Sequence, residues 1–344
     1  MLRTSEEAWG SIATKRLPIA VEAKRYYVFS GGATPDGKFL IGNVIRNNFL
    51  NTTSTTPGDV VLYELATGKV QKLATMQEPD SQVTSSAADE HWIVWMESDD
   101  PDAYDWHLFA ANRETAEVHE VAAAETRDGH PVPGPLTFVW VSHGMVVWGQ
   151  GVDAGIAQGS VDNAVVQRHD LATGTTETMA RGAGNPTFSW PWIAWEEFPA
   201  QGTTRTVVRN LETGWAGTLD TLPATIVLDG SSAAYAAKDL HSIWLIDDVA
   251  GASTTEIASG VDGADYLQWP SLNARIVGWV QDDRSVVYDR AERRQVSLPV
   301  ANGWSWGTAA GPNLVWFETD PGHAATEHPD WMVVADTRTF PILP

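Results

Sequence analysis

Seven times along this chain a short apolar run leads to a fixed position, usually held by a large aromatic side chain, and an acid or amide often stands two residues further on. The copies are Ile93-Val94-Trp95-Met96-Glu97, Val146-Val147-Trp148-Gly149-Gln150, Ile193-Ala194-Trp195-Glu196-Glu197, Ala233-Ala234-Tyr235-Ala236-Ala237, Val277-Gly278-Trp279-Val280-Gln281 and Leu314-Val315-Trp316-Phe317-Glu318. A diverged first copy is read as Phe39-Leu40-Ile41-Gly42-Asn43. The aromatic positions recur every roughly forty to fifty residues, the period of an array of supersecondary units. One such unit cannot bury its own apolar face. The array as a whole must therefore be the folding unit.

Each unit reads as four short strands, A to D, with the aromatic run as B. Strand C follows a loop of variable length and is β-branched or aromatic, as in Val60-Val61-Leu62-Tyr63, Thr206-Val207-Val208-Arg209 and Ile243-Trp244-Leu245-Ile246. The turn from C to D repeats in Leu65-Ala66-Thr67-Gly68, Leu171-Ala172-Thr173-Gly174 and Leu211-Glu212-Thr213-Gly214. A glycine there takes positive φ without a Cβ clash and closes a bulged hairpin. Strand A carries a second aromatic column: Trp140, Trp190, Trp269, and Trp304 with Trp306. No helical period competes. The expected fold is all-β, a seven-bladed β-propeller of four-stranded antiparallel blades in a single domain spanning 1–344. The blades are placed at about 22–76, 82–122, 136–180, 186–221, 225–258, 265–299 and 303–343. For ring closure, Leu17-Pro18-Ile19-Ala20-Val21 is a candidate partner of the last blade, with Phe340-Pro341-Ile342-Leu343 a competitor for the outer position.

Composition narrows function by exclusion. The formal net charge is −22, from 22 Lys and Arg against 44 Asp and Glu. Such a field repels phosphate backbones and anionic headgroups, so nucleic-acid and membrane-inserting partners are not expected. With no cysteine there is no disulfide, thiolate nucleophile or Cys-ligated zinc. The 17 Trp fit repeated packing between blades better than a ligand surface. Residues 1–20 hold no signal-peptide core. Localisation stays open: cytoplasmic, or extracytoplasmic and cell-surface if a leader was trimmed.

The Trp-ended B strand, the polar loop and the C-to-D turn ending in Thr-Gly resemble TolB-like (PD40-type) propeller repeats. Thr34-Pro35-Asp36-Gly37-Lys38 in the first unit is similar to their "SPDGK" element. The resemblance covers nearly the whole chain in short motifs. It implies the propeller fold and leaves function open, because such scaffolds host binding proteins, peptidase gates and polysaccharide lyases. The WD40 signature and the sialidase-type Asp box are absent, and no Tol-partner motif maps onto this sequence.

Long B-to-C loops (Asn47 to Gly58, Ser98 to Asp105, Gly151 to Asn163, Thr319 to Asp330) would share one face with the D-to-A connections, and recognition concentrates on such loops. The acid or amide positions Asn43, Glu97, Gln150, Glu197, Gln281 and Glu318 would ring that face as candidate ligand-binding groups for sugar hydroxyls, a cationic group or a metal. Equally, they mark where strand B becomes solvated. Trp106, Trp215 and Trp331 lie near loop edges and are candidates for exposure, and Asp99, Asp100, Asp102 and Asp105 crowd one loop without calcium-loop spacing.

No metal is assigned. His130, His241, His323 and His328 project to the same face and are the only candidates for a divalent site, with Tyr104, Lys or Arg as base. No G-x-S-x-G elbow or phosphate loop occurs. The expected function is a binding module for a glycan, peptide or protein loop. The alternative is a metal-dependent polysaccharide lyase or other propeller enzyme at the same face. No cofactor is implied beyond room for a divalent cation.

Overall fold

The structure, a computed structural model, describes residues 3–10, 12–22, 25–46, 57–79, 81–99, 104–132, 138–152, 164–198, 204–219, 223–251, 253–260, 266–282, 284–299, 307–320 and 329–341. Seven antiparallel sheets follow one another along the chain. In strand order A to D, blade 1 is Arg25–Ala33, Phe39–Arg46, Asp59–Glu64 and Val70–Thr75, and blade 2 is Gln82–Ala88, Trp92–Ser98, Trp106–Asn112 and Val118–Ala123. Blade 3 is Val139–Ser142, Met145–Gly151, Ala164–Asp170 and Thr175–Arg181, and blade 4 is Ala183–Ser189, Trp192–Glu197, Arg205–Asn210 and Ala216–Leu219. Blade 5 is Pro223–Asp229, Ser232–Ala237, Ser242–Ile246 and Thr254–Ser259, and blade 6 is Leu267–Leu272, Ile276–Gln281, Arg284–Asp289 and Arg294–Ser297. Blade 7 takes Thr308–Ala310, Asn313–Glu318 and Trp331–Asp336 from the C-terminal end of the chain.

The fourth strand of blade 7 comes from the N-terminal end. Thr14–Pro18 pairs antiparallel with Trp331–Asp336, Leu17 opposite Met332, and closes the ring. Phe340, the competitor for that role, packs instead on Trp9 at a centroid distance of 4.5 Å. Trp9 ends a short helix, Ser5–Trp9, whose Thr4 and Glu7 form a reciprocal capping box. Just before it, Arg3–Thr4 adds a fifth, parallel strand to blade 6.

Strand A of each blade contacts strand A of its neighbours, which makes A the innermost strand and B the second. Hydroxyls repeat as links between these inner strands. Val139 N–H donates to Ser85 Oγ (3.1 Å), Leu228 N–H to Thr187 Oγ1 (3.2 Å) and Ala309 N–H to Ser271 Oγ (2.9 Å). At the A-to-B turns a second set joins blades 2 to 3, 3 to 4 and 4 to 5: Gly144 N–H to Asp89 Oδ2 (2.7 Å), Trp190 N–H to Ser142 Oγ (3.1 Å) and Gly230 N–H to Ser189 Oγ (2.8 Å). Side-chain amides of Asn273 and Asn313 continue it to the carbonyls of Gly311 and Gly37. These inner backbone groups are thus satisfied by the neighbouring blade.

The core lies between blades. Trp95, Trp148, Trp195, Tyr235, Trp279 and Trp316 are buried and each faces the preceding blade, as Trp148 does against Val94, Met96 and Leu108. Alternate residues of the same strand face the following blade, which is the period-two consequence of the pleat. Blade 1 departs from the pattern read in the sequence. Leu40 and Val44 face blade 7, whereas Ile41 faces blade 2. The position equivalent to Trp95 is therefore Gly42, not Ile41. A Cβ on Gly42 would lie 2.7 Å from the Tyr27 ring, so a strand-A tyrosine occupies the space that other blades fill with indole.

Candidate functional site

The B-strand acid or amide is first an acceptor for its own strand's indole. Residues i and i+2 share a strand face, so the side chain two positions beyond the tryptophan meets its Nε1–H. Trp95 donates to Glu97 Oε1 at 2.7 Å, Trp148 to Gln150 Oε1 at 2.7 Å, Trp316 to Glu318 Oε1 at 3.1 Å and Trp195 to Glu197 Oε1 at 3.4 Å. A buried indole N–H without such a partner is costly. Trp279 is the exception: among the described residues its Nε1 has no partner, although Gln281 stands two positions on.

These residues stand at the C-terminal ends of equivalent strands and so mark one end of the propeller. Their environments differ. Glu97 and Gln150 are buried. Glu197 is held by Arg205 (2.7 Å) and Glu318 by Arg16 (3.2 Å). Asn43 does not belong to the set. The register shift in blade 1 turns it toward blade 2, where it is fully buried with neither amide atom hydrogen-bonded among the described residues. Val44 takes the position equivalent to Glu97.

Above the blade 1–blade 2 junction a cleft of about 160 Å³ opens, lined by Gln77, Glu78, Ser81, Glu97, Ser98, Asp99, Asp105 and His107. Glu97 forms its inner wall. Its Oε2 accepts the Gln77 N–H at 3.0 Å while Oε1 takes the Trp95 indole. Burial pushes the Glu97 carboxyl above the usual range, opposed by those two hydrogen bonds and by nearby His107. His107 leaves its Nδ1 3.5 Å from Glu120, outside hydrogen-bond geometry. Four carboxylates and an imidazole face one small polar volume. The sequence motifs pointed to Glu97, Asp99 and Asp105. Gln77, Glu78, Ser81 and His107 carried no motif: strand pairing within blade 2 sets His107 opposite Glu97, and the connection from blade 1 brings Gln77, Glu78 and Ser81.

Of the histidine candidates, the two described ones stand on different blade connections. His130 lies exposed in a small hairpin, Thr126–Arg127 with His130–Pro131, in the connection between blades 2 and 3. His241 precedes strand C of blade 5 and lies 5.6 Å from the Tyr266 ring. His323, His328, Asp100, Asp102, Trp304, Trp306 and most of the long loops lie outside the described residues. Among the described residues no group of three His, Asp or Glu is arranged to hold a metal, and no helix is long and apolar enough to cross a membrane. Of the edge tryptophans, Trp106 is buried and Trp215 and Trp331 are half-buried, Trp331 beneath the Arg16 guanidinium. The expected exposure of Trp106 is thus corrected: as the first residue of strand C it packs among Val94, Met96 and Trp148.

The exposed large aromatics among the described residues are Tyr104, Tyr266 and Trp269. Tyr104 belongs to the B-to-C loop of blade 2, and Tyr266 stands at the loop end of strand A in blade 6. Trp269 lies further along that same innermost strand.

No protein-family model matches the chain, and no curated protein sequence does. Solved structures do. A prolyl endopeptidase is similar at 11% identity and a TM-score of 0.57 over 90% of this chain and 49% of that one, so the chain spans about half of the peptidase's length. The oligogalacturonate lyase of Vibrio parahaemolyticus is similar from end to end, at 11% identity over 95% and 97% of the two chains with a TM-score of 0.54. TolB from Acinetobacter baumannii shares 16% identity over 72% of this chain and 64% of its own, with a TM-score of 0.43. At these identities the likeness is one of fold. Together with the seven four-stranded blades, it makes this chain a seven-bladed β-propeller.

Proposed function

We propose that the chain is a recognition module that grips its ligand on the long-loop face, and that the cleft between blades 1 and 2 receives a basic group of that ligand. The observation that supports this most directly is the cleft lining. Glu78, Glu97, Asp99 and Asp105 surround about 160 Å³ with no Lys or Arg among the lining residues. A concave polar site carrying uncompensated negative charge attracts an ammonium or guanidinium group and repels a carboxylate. The net charge of −22 acts in the same sense. The ligand is then a peptide or protein loop with Lys or Arg, or a glycan without acidic sugars.

A metal-dependent lyase acting on uronate polymers would need positive charge or a metal at this face. Arg205 is paired with Glu197, and Arg127 sits on the hairpin between blades 2 and 3, separate from Lys238 in blade 5. The decisive experiment is an array of basic peptides, neutral glycans and polyuronates, read with and without EDTA and at low and high salt. Binding of basic peptides that weakens with salt and is lost in Asp99→Asn/Asp105→Asn supports the reading. Tight polyuronate binding, or EDTA-sensitive release of unsaturated sugars, overturns it in favour of the lyase.

A further inference from the structure

In the ladder between strands B and C of blade 2, His107 stands directly opposite Glu97. The same register sets Arg205 opposite Glu197 in blade 4 and Arg284 opposite Gln281 in blade 6. Directly opposed residues of an antiparallel pair share a face, with Cβ atoms about 4.5–5.5 Å apart. The two glutamates have the same inner partner, since Oε1 of each accepts the indole N–H of the tryptophan two residues earlier. Their second oxygens differ. Glu197 Oε2 is covered by the Arg205 fork, with Nε at 2.9 Å and a terminal nitrogen at 2.7 Å. Glu97 Oε2 takes the Gln77 N–H at 3.0 Å, and Glu97 lines the cleft. A carboxylate oxygen has a second lone pair for another donor. Blade 4 thus shows what a fixed cation does at this position: it occupies the glutamate. Blade 2 carries there the side-chain type whose ordinary charge change falls between about pH 5 and pH 8.

The surroundings of His107 are of one sign. Among the described residues that line the cleft or meet the ring, carboxylates face it from each packed element. Glu97 stands on strand B, Glu120 on strand D, Asp99 and Asp105 on the B-to-C loop, and Glu78 on the connection from blade 1. The ring lies along Phe109, with centroids 6.3 Å apart. Its Nδ1 is buried without a hydrogen bond, 3.5 Å from Glu120 Oε1. A neutral imidazole has one N–H donor, whereas the protonated ring has two. Carboxylates on the strands to either side stand ready to accept both. Burial raises the Glu97 carboxyl above its ordinary range, so a proton taken up there acts in the same direction.

We infer that His107 is a proton switch on the cleft: neutral, it leaves Glu97 to the basic group of the ligand, and protonated, it occupies Glu97 as Arg205 occupies Glu197 and the ligand is released. The inference rests on the recognition reading proposed above and adds its regulation. Ligand cation and imidazolium compete for the same carboxylates, so each weakens the binding of the other. The cleft therefore grips at neutral and mildly alkaline pH and lets go as the solution acidifies.

The test is calorimetric titration of the full chain with N-acetylated, C-amidated tetralysine and tetraarginine at constant ionic strength. The charge of these peptides is constant between about pH 5 and pH 8. Wild-type affinity should fall tenfold or more from the upper to the lower pH, and binding should release protons. His107→Gln cannot take up the charge, and should cut that ratio to threefold or less, the remainder belonging to Glu97. His107→Arg installs the residue of blade 4 in the same register, and should weaken binding tenfold or more at the upper pH. Equal wild-type affinity at both pH values, an unaltered ratio in His107→Gln, or undiminished binding in His107→Arg would each overturn the switch while leaving the cleft as a basic-group site. Should His107→Arg not fold, the ratio in His107→Gln decides. Wild-type protein that binds neither peptide at the upper pH overturns the recognition reading, and the switch with it.

Discussion

Trp148 and Gln150 lie on one face of strand B in blade 3, and the indole N–H of the first donates to the side-chain oxygen of the second at 2.7 Å while both are buried. The tryptophan seals the blade 2–blade 3 junction and the amide satisfies its one polar atom. Truncating Trp148 to Ala removes a large buried aromatic, and should cost about 3–5 kcal/mol in a denaturant titration. Gln150→Leu keeps the packing volume but orphans the indole, at a cost of about 1–3 kcal/mol. A loss below about 1 kcal/mol for Trp148→Ala would show that this side chain does not seal the junction.

Gly42 is required by Tyr27. A Cβ at residue 42 would stand 2.1 Å from the Val28 carbonyl oxygen and 2.7 Å from the Tyr27 ring. The backbone oxygen cannot swing away as a side chain can. Gly42→Ala should therefore destabilise by about 1–3 kcal/mol or more, the range for overpacked cores. A thermal melt indistinguishable from wild type would refute the register assigned to blade 1.

Ring closure depends on Thr14–Pro18. Deleting residues 1–18 removes the fourth strand of blade 7 and exposes the edge of Trp331–Asp336. An unpaired edge of this kind also invites association between chains. The deletion should lower the melting temperature and promote self-association, both read by calorimetry and light scattering.

Trp9 locks the N-terminal segment from a distance. Its Nε1–H donates to Asp289 Oδ2 at 2.8 Å, and the same oxygen accepts from Arg275 at 2.9 Å. Asp289 is fully buried. Trp9→Phe retains most of the contact with Phe340 but withdraws one donor from a buried carboxylate, and should cost about 1–3 kcal/mol by chemical denaturation.

Glu196 supplies a pH-dependent prediction. Burial raises its carboxyl above the ordinary range, opposed by Asn185 and Lys238. Between the unfolded and the raised folded value the folded protein holds a proton that the unfolded chain has released, so this group's contribution to stability falls as pH rises through that window. Glu196→Gln should therefore be more stable than wild type at neutral pH. The gap should close as pH falls through the raised value toward the ordinary carboxylate range. An unchanging gap across that range, followed by circular dichroism, would contradict the assignment.

The sequence alone determined the architecture, because a repeated apolar run ending in a large aromatic states a local rule that six of the seven blades obey. Strand type, blade number and the tight Thr-Gly turns at Gly68, Gly174 and Gly214 follow from short-range chemistry, and all three glycines adopt positive φ near 70°. The N-terminal closing segment was visible as an apolar stretch, but its partner and register were not, since pairing between residues some three hundred apart leaves no local trace. Register in blade 1 misled for a related reason. Without a tryptophan to mark it, a one-residue slip moves every side chain to the other face, and only Tyr27 packing on Gly42 decides which face is which. The candidate site is tertiary in the same sense. Glu97 carried a motif, but the cleft needs His107 from strand C and Gln77 from the preceding blade. Trp269 looked like one member of a packed column until a bulge in strand A of blade 6 gave it a left-handed backbone and turned it out of the core.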